Sequence, residues 1–251
     1  MKKATTFYPF LYSSLALLVA AVLCQAKPPT PHALVKPVPP PRGAAILLGN
    51  QPPRLWQPIT GTPMALRGAP APKNTFPWGF ANGVLTIKPG TGDIWDVWSF
   101  PHGHIHLEFL IPPHPKRSTP YRSGVLLHGV YEICIADSYG QPLTTQSCGA
   151  LYKTQAPLVN AALPAGKWQA LDIYFRAALY HHGQMVQKPI ITVYLNGIRV
   201  LDHVALQSPT PEAPMPYSPQ HDELGNGFDA MNIALADHGC PVRFRNIWYT
   251  G

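Results

Sequence analysis

The chain has 251 residues, 46% of them apolar and only 12% charged, with 31 prolines and 20 glycines. So many turn-forming residues and so few charges exclude long solvent-exposed helices and favour many short strands, at a length that suits one large all-β domain. The net charge of +7 is spread without any long basic run, so no nucleic-acid partner is expected.

Residues 1–26 read as an export leader: Lys2 and Lys3 form a basic start, residues 11–23 an apolar stretch, and Cys24-Gln25-Ala26 a small-residue cleavage site before Lys27. The apolar run is too short for a stable membrane span. Leu23 stands before Cys24, where a lipid-modified cysteine normally follows a small residue, so secretion or periplasmic release ranks ahead of a lipoprotein. The leader carries two lysines and no acid, so the basic balance survives its removal. Cys134, Cys148 and Cys240 then remain in a compartment where disulfides persist, and the sequence leaves open which two would pair.

Residues 27–54 begin KPPTPHALVKPVPPPR, and prolines at this density predict an extended tether. The folded domain is expected over 55–251. Residues 83–87 form a first predicted strand. Residues 104–109, His-Ile-His-Leu-Glu-Phe, alternate strictly, with Ile105, Leu107 and Phe109 on one face and His104, His106 and Glu108 on the other. Residues 125–136 read as one or two strands with Tyr131, Ile133 and Ile135 facing away from Glu132 and Cys134, and 171–175 as another. Asn196-Gly197 between 190–195 and 198–201 suits a two-residue type I′ hairpin turn. Residues 231–235 and 242–249 close the pattern. The proline-studded stretch 207–226 has no periodicity and reads as a long loop, either edging a binding site or simply on the surface. Regularly spaced short strands argue for an antiparallel sandwich.

Several segments carry a family resemblance. HLEF at 106–109, SGVLLHGVYEICIADSYG at 123–140, GALY at 149–152, PLVNA at 157–161, PAGKWQALDI at 164–173, VYLNGIRV at 193–200 and ADHGCPVRFRNIWY at 236–249 occur in this order. Together they resemble the 3-keto-disaccharide hydrolase domain family of the concanavalin A-like lectin and glucanase superfamily. The resemblance implies an all-β, antiparallel jelly-roll sandwich and, as substrates, glycosides already oxidised to a ketone at C3. The chain departs from the family pattern at Arg122, where the family commonly has Asn, and at Cys134 and Ala236, where it commonly has Gln.

A ketone at C3 acidifies the hydrogen on C2, so proton abstraction lets the group on C1 leave, and water then adds back. This chemistry asks for a base, an acid and a group to hold the enolate oxygen. Glu132, at the family's Tyr-Glu position, and His238, in Asp237-His238-Gly239, are the expected acid/base pair, with Asp237 orienting the imidazole and Asp137 a further carboxylate. His106, Glu108, Arg122 and Arg243 are expected to line the substrate cleft, although for each a structural role, such as an ion pair or a turn cap, competes. Tyr131, Trp168 and Trp248 are expected in the core. The row His102, His104, His106 and Glu108 is spaced too widely along one strand, roughly 6–7 Å between neighbours, to share an ion without help from another strand. No cofactor is expected and a divalent metal is left open. The expected partner is an oxidised sugar or glycoside. The competing reading is a lectin-like carbohydrate-binding module without turnover.

Overall fold

The structure, a computed structural model, describes residues 33–34, 36–59, 76–98, 100–114, 120–211, 227–228 and 232–251. The leader and most of the 207–226 stretch lie outside these residues. In chain order the strands are β1 (Ala45–Leu48), β2 (Trp56–Pro58), β3 (Gly79–Ala81), β4 (Val84–Thr86), β5 (Ile94–Asp96), β6 (His102–Leu110), β7 (Arg122–Leu127), β8 (Tyr131–Ala136), β9 (Trp168–Arg176), β10 (Leu179–His181), β11 (Gln184–Gln187), β12 (Ile190–Leu195), β13 (Ile198–Ala205), β14 (Gly227–Phe228), β15 (Ile233–Leu235) and β16 (Arg243–Thr250). Every strand pairing among them is antiparallel.

Two sheets make the sandwich. The back sheet has eight strands, ordered β13-β12-β9-β6-β16-β4-β3 with β1 also on β16, and the front sheet has five, ordered β2-β5-β15-β7-β8. Alternation decides what each strand contributes. On β6, Ile105, Leu107 and Phe109 are fully buried, and they meet Leu171 and Ile173 of β9, Val193 of β12 and Phe244 of β16 in one core. The front sheet supplies Val125, Leu127, Ile133, Ile135, Ile233 and Leu235 to the same core. Each such side chain contributes about 1.5–3 kcal/mol on burial. Tyr131 belongs to this core, as expected, with its ring near that of Phe175.

The hairpin between β12 and β13 turns at Asn196 and Gly197, both with positive φ, 54° and 76°. That is the backbone a type I′ turn requires. Asn196 also ties the turn down, since its Nδ2 donates to Ala161 O and to Gln169 Oε1 while its Oδ1 accepts from Ala170 N.

Three expectations need correction. The described part of 27–54 is no free tether. Leu34 N donates to Trp168 O, Val38 N donates to Glu108 Oε1 at 2.6 Å, and Ala45–Leu48 pairs with β16. Proline withdraws a donor only at its own position, so the residues between prolines still dock on the back sheet. Trp168 and Trp248 lie on the outer face of that sheet, not in the core: Trp248 stands opposite His106 and stacks on it at 4.7 Å, and Trp168 stacks under the Arg245 guanidinium. A register shift between Arg245 and Trp248 turns that tryptophan to the side of His106. Finally, Cys134, Cys148 and Cys240 are all buried, unbridged thiols.

Candidate active site

The outer face of the front sheet carries the candidate site. Pairing registers place Gln57, Trp95, Ala234, Leu126 and Glu132 in one cross-sheet row, and residues directly opposite one another point to the same face. Since Ile133 and Val125 point into the core, Glu132 and this row point out of the sandwich. The adjacent row holds Gly124 opposite Cys134, with Ala236 N donating to Gly124 O. Gly124, Cys134 and Ala236 are small, whereas the neighbouring row carries the buried Trp95 and Leu126 between Gln57 and Glu132.

Gly124 has a direct steric purpose. A Cβ there would lie 2.2 Å from Glu132 Oε1, so the carboxylate of Glu132 rests over the glycine. From that position Oε1 stands 3.7 Å from His238 Nε2, and the imidazole keeps 35% of its side-chain surface exposed. The backbone of Glu132 is fixed as well, its N–H donating to Thr210 Oγ1 and its carbonyl accepting from Tyr152 N.

Electrostatics set the state of His238. Burial lowers its pKa below the usual imidazole value, and the Arg122 cation acts in the same direction, outweighing the opposing attraction of Asp93 and Asp237. His238 is thus neutral at neutral pH and able to accept a proton. Arg122 hydrogen-bonds Gln146 Oε1 through one terminal nitrogen, while its buried Nε has no hydrogen-bond partner among the described residues. The Cys134 thiol is pushed up by burial and then by the Glu132 carboxylate, which keeps it protonated and unsuited to nucleophilic work.

Asp237 does not orient His238. Its Oδ2 accepts from the backbone N–H of Thr91 and Gly92, and its Oδ1 from Gly239 N. It clamps the 88–92 turn and caps its own, as aspartates in turns do. Asp137 follows the far end of β8 and pairs with His114 Nε2 at 2.8 Å, away from Glu132.

His106, Glu108 and Arg243 are not in this site. They sit on β6 and β16, on the outer face of the back sheet, so both sheets separate them from Glu132. The reason is parity: residues 106 and 108 face away from core residues 105, 107 and 109, and 132 faces away from core residue 133. The two sets therefore look out of opposite sides of one sandwich. There Glu108 is wholly buried and accepts from Arg245 Nε, Asn246 Nδ2 and Val38 N. Burial alone would raise its pKa, but the nearby His106 imidazole and hydrogen bonds from Val38, Asn246 and Arg245 hold it below the usual value. Arg243 is exposed at the start of β16. Among the described residues, no group of three His, Cys, Asp or Glu is placed to hold a metal ion.

Sequence reasoning missed Trp95, Gln146 and Asp93 around the site. Asp93 Oδ1 accepts from Asp237 N at 2.7 Å, which fixes the turn bearing His238. The short strand Ile94–Asp96 offers too few residues for alternation to reveal it.

An antiparallel sandwich of the concanavalin A-like type, here with Glu132 and His238 close together on its front sheet, is the architecture of a carbohydrate-active class of protein. Residues 65–250 match the 3-keto-alpha-glucoside-1,2-lyase-like domain, and the chain belongs to this family. Among solved structures, a candidate glycosyl hydrolase from Parabacteroides distasonis ATCC 8503 is 25% identical with a TM-score of 0.67, over 88% of this chain and 98% of that one. Another candidate glycosyl hydrolase from the same organism shares the fold at 18% identity and a TM-score of 0.54, over 83% of this chain and 93% of that one. No curated protein sequence matches the chain.

Proposed function

We propose that this protein cleaves glycosides oxidised to a ketone at C3, by elimination across C1 and C2 followed by hydration, outside the cytoplasm. The observation that carries the reading is the 3.7 Å approach of Glu132 Oε1 to His238 Nε2 beside Arg122 on a face floored by Gly124 and Ala236. Neutral His238 takes the proton from C2, and the electron pair moves into the C3 carbonyl to give an enolate whose oxygen Arg122 stabilises. Glu132 holds the imidazolium so formed. As the C1–O bond breaks, the enolate re-forms the ketone and a C1–C2 double bond, the imidazolium gives its proton to the departing oxygen, and water then adds across the double bond. Export follows from the basic start and apolar stretch of residues 1–26. Residues 55–251 form the working domain in this reading, with Leu34, Val38 and Ala45–Leu48 docked on its back.

A second reading is favoured by one observation. Cys134 and Ala236 place an apolar thiol and a methyl where the family pattern has amides, which suits a domain that binds sugar without turning it over. The two readings separate when the purified protein is incubated with 3-keto-glycosides and their unoxidised parents. Release from the keto forms alone, lost in Glu132→Gln, supports the lyase reading; binding of either form by calorimetry with no release from any supports the second.

A further inference from the structure

We propose a second carbohydrate-binding site, on the outer face of the back sheet, that holds one pyranose ring of an oligosaccharide against Tyr174. It stands independently of the front-sheet chemistry. Tyr174 sits on β9, a central strand paired on both sides, yet it is 46% exposed. Its ring is set firmly: it stacks on His104 at 4.3 Å and 15°, and meets Tyr194 edge-on at 5.9 Å. His104 is in turn held by Asp172, to whose Oδ1 its Nε2 donates at 2.9 Å. A rigid aromatic surface loses little conformational freedom on binding, and the C–H face of a pyranose is the apolar plane that stacks on such a ring.

Beside the ring runs a groove of ≈ 380 Å³ whose lining includes His104, Tyr174, Arg176, Thr192, His203 and Thr250. Arg176 gives one terminal N–H to Lys188 O, but its Nε is buried and has no hydrogen-bond partner among the described residues. A buried donor left unmade costs free energy that a ligand acceptor recovers. An exposed aromatic plane next to an unmet donor asks for a ligand with one apolar face and hydroxyl oxygens at its edge, which is the chemistry of a sugar ring. Neither feature suits an aliphatic partner surface, which would leave the Arg176 donor unmet.

The test uses the full protein with cellopentaose and maltopentaose as probes, titrated by calorimetry into wild type, Tyr174→Ala, Tyr174→Phe, Arg176→Gln and His238→Ala. The expected result is binding of at least one probe that survives in His238→Ala and in Tyr174→Phe, and that weakens about tenfold in Tyr174→Ala through loss of the buried apolar face. Arg176→Gln weakens it also. Release of aglycone from a small substrate of the front site stays at the wild-type rate in Tyr174→Ala. The proposal is overturned if wild type binds neither probe, or if binding is lost in His238→Ala and kept in Tyr174→Ala. Self-association of the wild type in sedimentation, abolished by Tyr174→Ala, overturns it in favour of a second copy of the chain as occupant.

Discussion

Arg245 Nε donates to Glu108 Oε2 at 2.6 Å across directly paired positions of β16 and β6, and Glu108 exposes nothing to solvent. Removing one partner of a buried pair leaves the other uncompensated. Glu108→Ala strips the acceptor from Arg245, from Asn246 and from the Val38 amide at once. It is expected to lower unfolding free energy by about 3–5 kcal/mol, while turnover per folded molecule is unchanged, because the substitution lies on the sheet opposite Glu132. Denaturant titration together with a specific-activity assay checks this. A stable variant with lost turnover would return Glu108 to the active site.

His106 links the two carboxylates of the back face. Its Nδ1 donates to Asp172 Oδ1 at 2.8 Å, and its Nε2 lies 3.5 Å from Glu108 Oε1. Burial works against charge on His106, but the hydrogen bond to Asp172 and the nearby Glu108 carboxylate outweigh it and raise its pKa above 6.5. Burial likewise opposes ionisation of Asp172, yet its hydrogen bonds with His104 and His106 pull its pKa from 3.8 to about 2. The raised imidazole stabilises fully below pH 6.5 and loses that contribution as pH rises through its folded value. The depressed carboxyl stabilises above pH 3.8 and loses its contribution as pH falls towards about 2. The stability difference between wild type and Asp172→Asn is therefore expected to be widest between about pH 4 and 6.5. Chemical denaturation of both proteins from pH 3 to 9 measures it, and a difference independent of pH would contradict the pairing.

Alternation made the architecture readable, because β6, β8 and β16 each separate a core face from a polar face within a few residues. It did not reveal which polar faces meet. Residues 106, 108 and 132 each face away from an apolar neighbour, and nothing in local pattern tells that the two strands belong to opposite sheets. That information is topological: β6 pairs with β9 and β16, whereas β8 pairs with β7. Asp172 went unnoticed for a related reason, since its role depends on standing opposite His106 across a pairing of strands 66 residues apart. The pairing of Glu132 with His238 was legible only through the family motifs, as 106 positions separate them in the chain and sequence spacing alone gives no geometry. Asp237 illustrates the opposite lesson. Its turn-capping role follows from local chemistry, and that local role is the one the structure displays.

A base must be neutral to accept the C2 proton, so turnover of a keto-glycoside is expected to rise with pH through the lowered His238 pKa and to level off by neutrality, with a midpoint below 6.5. Burial is the larger cause of that lowering and the Arg122 cation another. Arg122→Gln should accordingly shift the acid limb of kcat/KM to higher pH, besides reducing its plateau through loss of enolate stabilisation. Glu132→Gln is expected to cost about 10²–10⁴-fold in kcat with no change in the fold. A pH–rate series on the three proteins decides the point: an acid limb that stays in place in Arg122→Gln would show that this arginine does not act on His238.

Gly124 offers a way to move the Glu132 carboxylate without altering its chemistry. The added methyl of Gly124→Ala would come within 2.2 Å of Glu132 Oε1 and 2.7 Å of its Cγ and Cδ. What it strikes is a flexible side chain from Cγ outward rather than backbone, so the strand can accept the methyl if the whole Glu132 side chain changes rotamer and carries the carboxylate away. Gly124 lies in β7 without a positive φ, and alanine meets no conformational penalty there. The expected outcome is a folded protein with a melting temperature near that of wild type and turnover reduced almost as far as in Glu132→Gln, since a misplacement of about 1 Å can cost 10²-fold. Paired thermal melts and progress curves provide the measurement. Wild-type turnover in a folded Gly124→Ala protein would mean that the position of Glu132 over the glycine is irrelevant to catalysis, and the assignment of Glu132 as the partner of His238 would have to be withdrawn.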